Sequence, residues 1–127
     1  MKSYKDLEIW KKSIDLVKTI YKLTENFPEK ETYSLTSQLR RSAVSVPSNI
    51  AEGQARKHTK EFLQFLYHAL GSLAELNTQT IIAKDIGYLS EENFEIVEAR
   101  ITEIQKMVYA IISKLSTTIH SPLITYH

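Results

Sequence analysis

The apolar residues of the chain fall into four segments that share a helical period. Within each segment they recur at steps of three and four, and polar or charged residues fill the positions between them. This spacing is typical of amphipathic helices, because it places the apolar side chains on one face. The predicted inward-facing positions are Leu7, Trp10, Ile14, Val17 and Tyr21; Leu35, Leu39, Ser42 or Ala43, Val46 and Ile50; Phe62, Leu66, Ala69, Leu73, Leu76, Thr80 and Ala83; and Phe94, Val97, Ile101, Ile104, Val108, Ile111 and Leu115.

Turn-forming residues mark the ends of the first three predicted helices. The first helix should end near Asn26, because Phe27 precedes Pro28 and the residue before a proline is pushed out of the helical region. Gly53 and the polar run Gln54 to Thr59 predict the end of the second helix and the turn after it. Gly87 is predicted to close the third.

Two hydroxyl residues are predicted to cap the beginnings of helices. Thr59 is placed to cap the third helix and Ser90 to cap the fourth, because a hydroxyl there accepts a hydrogen bond from a free backbone N–H. At the second of these positions, Leu89 is expected to pack against Phe94.

Pro47 lies in the interior of the second predicted helix. It cannot donate a backbone hydrogen bond, and its ring crowds the carbonyl of Ala43. Because the apolar spacing resumes beyond it, we expect a kink and not a break. Ser42, Ser45 and Ser48 are placed to bond to the freed backbone groups or to water at the bend.

Four amphipathic helices joined by short turns predict an all-α protein. The expected architecture is an antiparallel up-down-up-down four-helix bundle with helix 2 kinked near Pro47. The helical period stops near Thr118. The sequence therefore predicts a bundle over residues 1–117 and a C-terminal tail over residues 118–127.

Six apolar residues fall outside the predicted inward faces. They either widen the core or form a second apolar face that a partner subunit would cover, and the latter interpretation favours a homo-oligomer. These residues are Ile9, Ile20, Leu63, Leu70, Ile82 and Ile112.

The composition fits a single soluble domain. The chain has 127 residues, of which 43% are hydrophobic and 24% charged, and it contains no cysteine. The absence of cysteine excludes disulfides and thiolate chemistry. The charged N-terminal stretch does not resemble a signal peptide, and no apolar run approaches the roughly 20 residues of a membrane span. We expect a cytoplasmic protein with no membrane partner.

Charge is spread unevenly along the chain. Residues 1–60 hold 12 basic and 7 acidic residues, a net charge of +5, whereas residues 61–127 hold 4 and 8, a net charge of −4. One interpretation is an ordinary drift of surface charge. The other is a basic face for phosphates, or complementary faces for self-association.

Motifs for catalysis or cofactor binding are missing from the sequence. No pair of Glu-x-x-His motifs suggests a di-iron site, and of the four histidines only His68 lies on a predicted helix with acidic residues nearby. The three glycines form no phosphate-binding loop, and no serine has a nucleophile-elbow pattern. The sequence predicts no catalytic residue, no metal and no cofactor, and hence a protein that is not an enzyme.

Basic residues gather on helix 2 and in the turn after it. Guanidinium groups match phosphate oxygens in pairs, so such a surface is suited to a nucleic-acid backbone. The alternative is that Arg40 and Arg41 pair with acids such as Glu75 or Glu98 of neighbouring helices or subunits. The candidate nucleic-acid-binding residues are Arg40, Arg41, Arg56, Lys57 and Lys60.

Several short runs of the sequence occur together in a known family. They are Tyr4 to Trp10, Phe27 to Glu29, Gln38 to Arg41, Ser45 to Gly53 and Gly71 to Leu76. In this combination the chain resembles, over about residues 4–115, the bacterial four-helix bundle proteins encoded in intervening sequences of 23S ribosomal RNA genes.

The resemblance implies a bundle similar to the accessory protein of diversity-generating retroelements, which forms a ring-like pentamer and engages nucleic acid and a reverse transcriptase through a basic surface. The resemblance implies that Arg40 and Arg41 belong to this basic surface. The correspondence is looser for Arg56 and Lys57. Asn77 stands where relatives often carry an acid, which argues against an ion pair across subunits there.

The predicted function is that of a non-enzymatic homo-oligomer, a pentamer, which binds structured RNA or DNA non-specifically through its basic surface. The alternative is a protein–protein assembly or adaptor module that does not bind nucleic acid directly. The expected partners are further copies of the chain, RNA or DNA, and a reverse transcriptase or another protein.

Overall fold

Four α-helices make up most of the described structure, which covers residues 3–119 of a computed structural model. Two short 3-10 helices, Tyr4–Asp6 and Glu29–Glu31, precede α1 and α2, and this range contains no strand. The prediction of an all-α protein with four helices is confirmed. The helices are α1 (Glu8–Thr24), α2 (Leu35–Ala55), α3 (Thr59–Asp85) and α4 (Glu91–Ile119).

The most extensive helix contact joins α2 to α3. The Ser42 hydroxyl donates to Gln79 Oε1 at 2.7 Å, and Ser45 Oγ lies 2.8 Å from Ser72 Oγ. The partner numbers fall along α3 as they rise along α2, so these two helices run antiparallel. Small polar side chains here allow close approach, and their directional hydrogen bonds help to fix the register of the two helices.

α2 ends at Ala55, within the predicted run Gly53 to Thr59, but Gly53 itself lies inside the helix and is buried. A Cβ atom placed on it would lie 2.5 Å from Phe65 Cβ and 3.1 Å from Phe62 Cδ1. Its role is therefore to let α3 approach the backbone of α2. The reversal of the chain falls instead on Lys57, whose φ is 60°.

The inward face of α1 differs from the predicted one by one position along the helix. The buried positions include Ser13 and Thr24, which a hydrophobic pattern does not reveal. Their hydroxyls donate to the carbonyls of Ile9 and Ile20, at 2.6 and 2.8 Å, and this satisfies them without water. The residues of α1 that the structure buries are Ile9, Ser13, Leu16, Ile20 and Thr24.

Four of the six apolar residues left outside the predicted faces belong to the core. Ile9, Ile20, Leu70 and Ile112 are buried, which supports the wider-core interpretation for them. On α4 the prediction had placed Ile111 inward, but Ile112 is the more buried of the two. Ile82 remains 45% exposed.

The two predicted N-caps have different outcomes. Ser90 caps α4, since its Oγ accepts a hydrogen bond from the Asn93 N–H at 3.1 Å, and Leu89 and Phe94 are both buried beside it. Thr59 is instead the first residue of α3. The capping position belongs to His58, whose side chain makes no capping hydrogen bond.

The C-terminus of α3 is closed by Gly87, as predicted. Gly87 has φ 90°, its N–H donates to the Lys84 carbonyl, and the Tyr88 N–H donates to the Ala83 carbonyl. This pair of bonds is the Schellman motif, which satisfies the last carbonyls of a helix. α1 ends at Thr24, close to the predicted position.

α2 continues through Pro47 without a break. The Ser48 hydroxyl donates to the Val44 carbonyl at 2.8 Å, while Ser42 and Ser45 bond across to α3. The kink near Pro47 stays a prediction. At the other end of the chain, α4 extends to Ile119, and residues 120–127 of the predicted tail lie outside the described residues.

No helix in the described part of the chain is long and apolar enough to span a membrane.

Candidate nucleic-acid interface

The five predicted binding residues occupy two places on the bundle. Arg40 and Arg41 lie in the first half of α2, whereas Arg56 and Lys57 follow its last residue and Lys60 lies in the first turn of α3. The helical rise places Arg41 and Arg56 about 22 Å apart along α2, with directions about 60° apart around its axis. The two places therefore share one side of α2 but do not form a single cluster.

Arg40 joins α2 to the end of α1. Its Nε donates to Thr24 Oγ1 at 2.9 Å and its Nη2 to the Tyr21 carbonyl at 3.4 Å. Its guanidinium carbon also lies 4.5 Å from the centre of the Tyr21 ring. A cation is favourable at the C-terminus of a helix, so Arg40 stabilises the α1–α2 contact in addition to any external role.

Arg41 is exposed on the surface of α2. Among the described residues, its guanidinium has no hydrogen bond, ion pair or ring contact. The alternative pairing with Glu75 or Glu98 is not observed within the chain, and pairing with another subunit stays a prediction. A guanidinium group without a partner is available to an external anion.

Arg41 lines a shallow groove of about 430 Å³, which we call the Arg41 groove. The groove lies between the end of α1, the connection that follows Glu31, and the first half of α2. Tyr33, in that connection, is 95% exposed, whereas Thr36 is only 6% exposed. The lining residues are Tyr21, Thr32, Tyr33, Thr36, Ser37, Arg40, Arg41 and Val44.

Hydrogen bonds to Glu31 anchor the connection that carries Tyr33. Its carboxylate accepts from the Ser34 hydroxyl at 2.6 Å and from the Tyr88 hydroxyl at 2.8 Å. The bond from Ser34, followed by that from Tyr88, lowers the pKa of Glu31 below its ordinary value. The same carboxylate raises the pKa of Tyr88.

Arg56, which follows the last residue of α2, is engaged in ion pairs. Its guanidinium lies 2.9 Å from Glu52 and 3.7 Å from Glu61, and its centre is 5.2 Å from the Phe65 ring. The hydrogen bond with Glu52 raises the pKa of Arg56. These pairs are partly exposed, and exposed pairs are weak enough to exchange for a phosphate.

Lys57 and Lys60 flank the turn between α2 and α3. Lys57 is exposed and lines a groove of about 170 Å³ that also includes His58 and Phe62. Lys60 is also exposed and interacts with another group of the chain. Lys57 adopts a positive φ, which is uncommon for a non-glycine residue, and the chain reverses there beyond the end of α2.

A group of acidic residues lies on α4, at the opposite corner of the bundle. α2 and α4 make no mutual contact within the described helices, since each packs against α1 and α3. A groove of about 530 Å³ on α4 is lined by Glu95, Glu98 and Glu103. The Arg41 groove has no acidic residue in its lining, so the two grooves differ in sign.

No cluster suited to a metal is present in the described part of the chain. Residues 3–119 contain no group of three or more His, Cys, Asp or Glu side chains that could hold an ion. His120 and His127, in the predicted tail, lie outside these residues.

The sequence reasoning missed Tyr33, Thr36 and Ser37. Tyr33 is a large aromatic residue in a connection, outside the helical period. This position is the sequence feature that could have identified it as a candidate binding residue. Thr36 and Ser37 gave no such signal, since hydroxyl residues near the start of a helix are common.

Comparisons with known proteins agree with the architecture described above. A crystal structure of a protein with unknown function from the S23 ribosomal protein family of Bacteroides thetaiotaomicron VPI-5482 matches with a TM-score of 0.74 and 26% sequence identity, over 82% of this chain and 97% of that one. No curated protein is significantly similar in sequence. The family model described as 23S rRNA-intervening sequence protein matches residues 5–110, which include α1, α2 and α3 and most of α4. The chain therefore belongs to the 23S rRNA-intervening sequence protein family, as its motifs predicted.

Proposed function

We propose that this chain forms a non-enzymatic, cytoplasmic homo-oligomer that binds structured RNA or DNA without sequence preference through the basic side of α2. The observation that carries the proposal is Arg41, an exposed guanidinium without a partner among the described residues, in a groove free of acidic side chains. Such a group binds phosphate oxygens, which every nucleic-acid sequence presents.

The other basic residues contribute unequally to this proposed surface. Lys57 is exposed beyond the end of α2 and supplies a second phosphate contact. Arg56 joins it by exchanging its exposed pairs with Glu52 and Glu61 for phosphate, and Lys60 adds positive charge nearby. Arg40 holds α2 against α1 and so positions its neighbour Arg41.

Non-specific binding follows from the placement of these residues. α2 packs against both α1 and α3, so one of its faces is buried and it does not project as a free recognition helix. Base readout requires an element that enters a groove of the duplex, whereas phosphate contacts need only exposed cations.

The test is the affinity of purified, nuclease-treated variants for a labelled RNA hairpin, measured by fluorescence anisotropy in 0.1 M salt. Arg41→Ala should weaken binding about 5- to 10-fold, which corresponds to the loss of one phosphate contact at this salt concentration. Lys57→Gly should act similarly, and glycine adopts the positive φ of this position without strain.

Lys106→Ala is the matched control, because Lys106 is an exposed lysine in the acidic groove of α4. It removes the same charge and should change the affinity less than 2-fold. An Arg41→Ala/Lys57→Gly double variant that binds as tightly as the wild type would overturn the proposed function.

An apolar patch at the C-terminal end of α3 supports the oligomeric part of the proposal. Ile82 and Ile86 lie one helical turn apart and are 45% and 54% exposed. Exposed isoleucine side chains grouped in this way favour burial against another chain. The pentamer itself rests on the resemblance drawn from the sequence.

Native mass spectrometry tests this assembly. A fivefold mass is expected for the wild type, and Ile82→Lys/Ile86→Lys should shift it toward the monomer because lysine disfavours burial. Ile82→Leu/Ile86→Leu, which keeps the patch apolar, should retain the oligomer. A monomeric wild type at micromolar concentration would contradict the proposal.

The same patch favours the second candidate function, an assembly or adaptor module that binds another protein, for example a reverse transcriptase, and not nucleic acid. Under this function, the double variant at Arg41 and Lys57 would retain the partner and the lysine substitutions on α3 would lose it.

A further inference from the structure

We propose that the Arg41 groove binds one unstacked nucleotide, with the base on the ring of Tyr33 and the phosphate on Arg41. The inference rests on the proposed nucleic-acid binding and states which form of nucleic acid the groove prefers. Loops, bulges and single strands expose such nucleotides, whereas a continuous duplex keeps its bases stacked.

Tyr33 provides the platform for the base. It is the most exposed large hydrophobic side chain among the described residues, at 95%, and its ring makes no contact with another aromatic ring there. The Glu31 carboxylate accepts hydrogen bonds from the Ser34 and Tyr88 hydroxyls, and these bonds anchor the connection that carries Tyr33. An aromatic ring on an anchored connection can stack on any base, because every base has a flat face.

Arg41 lines the same groove as Tyr33 and provides the contact for the phosphate. The helical rise places Arg41 about 9 Å beyond Leu35, the first residue of α2, and Tyr33 precedes Leu35 in the connection. The groove volume of about 430 Å³ also falls in the range of small-ligand sites, which is roughly 300–1,000 Å³.

Two hydroxyl residues between Tyr33 and Arg41 lack partners. Thr36 and Ser37 both line the groove, and neither side-chain hydroxyl forms a hydrogen bond with a described residue. Each hydroxyl can donate to or accept from a polar atom of a ligand. Sugar hydroxyls and base edges supply such atoms.

The charges of the groove select an anionic ligand. Arg40 and Arg41 are the charged residues of its lining, and Arg40 is fixed over Tyr21 by its bonds to α1. The nearby Glu31 is directed to Ser34 and Tyr88. A site with two guanidinium groups, an exposed ring and free hydroxyls matches a nucleotide better than an apolar protein segment.

The experiment compares two labelled RNAs of equal length, an unstructured single strand and a blunt, fully paired duplex, by anisotropy at fixed salt. Tyr33→Ala should weaken single-strand binding about 5- to 150-fold, the range for one base stacked on an aromatic ring, and change duplex binding less than 2-fold. Tyr33→Phe keeps the ring and should bind both RNAs like the wild type. Arg41→Ala should weaken both.

The outcomes separate this inference from the proposed function. If Tyr33→Ala binds the single strand like the wild type, or weakens both RNAs equally, while Arg41→Ala weakens both, the nucleotide site is wrong and phosphate binding stands. If Arg41→Ala and Arg41→Ala/Lys57→Gly leave both affinities unchanged, the proposed function fails as well. Circular dichroism melts of each variant check that the bundle is intact, which the exposure of Tyr33 leads us to expect.

Discussion

Gly53 and Gly71 occupy opposite packing environments on facing helices. A Cβ atom on Gly53 would meet Phe65 Cβ at 2.5 Å, whereas one on Gly71 would meet nothing within 4 Å. The first contact involves atoms close to the backbone of α3, which cannot move aside without separating the helices. The second glycine carries only the entropic cost of a flexible residue in a helix.

Substitution by alanine should therefore change stability in opposite directions. Gly53→Ala is expected to lower the free energy of unfolding by about 1–3 kcal/mol through overpacking. Gly71→Ala, the matched control, should raise it by about 0.5–1 kcal/mol. Urea denaturation measures both, and equal effects at the two positions would refute the close approach of α2 and α3 at Gly53.

Sequence reasoning succeeded at single residues where the signal was local. Ser90 and Gly87 were predicted correctly because a cap and a left-handed position depend on the residue itself. Gly53 was misassigned because a glycine at a helix end and a glycine beneath another helix look alike in a sequence. Among the binding candidates, the sequence did not distinguish the paired Arg56 from the unpaired Arg41, since that difference depends on acids from two helices.

At the scale of elements, the helical period identified α3 and α4 well and misplaced the face of α1. α3 and α4 bury an almost uninterrupted alternation of apolar residues. In α1, two buried positions are Ser13 and Thr24, whose hydroxyls bond to their own helix. The apolar residues one position further along α1 follow the same helical period. Because all of them are hydrophobic, the sequence pattern favoured them over the face that is buried.

The connection between α1 and α2 is expected to depend on pH through Glu31. Its pKa is lowered in the folded protein, so the stabilisation is present above the ordinary value of 4.5 and is lost as pH falls through the lower folded pKa. Tyr88 has a raised pKa, so its contribution is present below 10.0 and is lost as pH rises through the higher folded pKa.

The substitution Tyr88→Phe tests how the Tyr88 hydroxyl contributes to this connection. Removal of one hydroxyl donor should move the pKa of Glu31 partway back toward 4.5, with the bond from Ser34 keeping it below that value. Carboxyl-selective NMR titration follows the change, with Glu103, on the surface of α4, as an internal reference. If Glu31 titrates at the same pH in both proteins, the bond between Tyr88 and Glu31 does not anchor the connection.

At the scale of the whole molecule, the uneven charge of the sequence becomes a separation in space. The basic side of α2 and the acidic groove of α4 lie on helices that do not touch in the described structure. This arrangement keeps the glutamates of α4 away from Arg41, whose groove has no acidic residue in its lining. The charge difference between the two halves of the sequence left open both an ordinary drift of surface charge and a basic face, and the groove itself arises from a connection whose path the sequence did not reveal.

The most direct test of phosphate binding by the α2 surface is the salt dependence of affinity for a structured RNA hairpin. We expect the logarithm of the association constant to fall linearly with the logarithm of salt concentration for the wild type and for Lys106→Ala, with equal slopes. For Arg41→Ala/Lys57→Gly the slope should be less steep by about 1.4–1.8, which corresponds to two lost phosphate contacts at about 0.7–0.9 each. An affinity that is insensitive to salt, or a double variant with the slope of the wild type, would contradict binding through this surface.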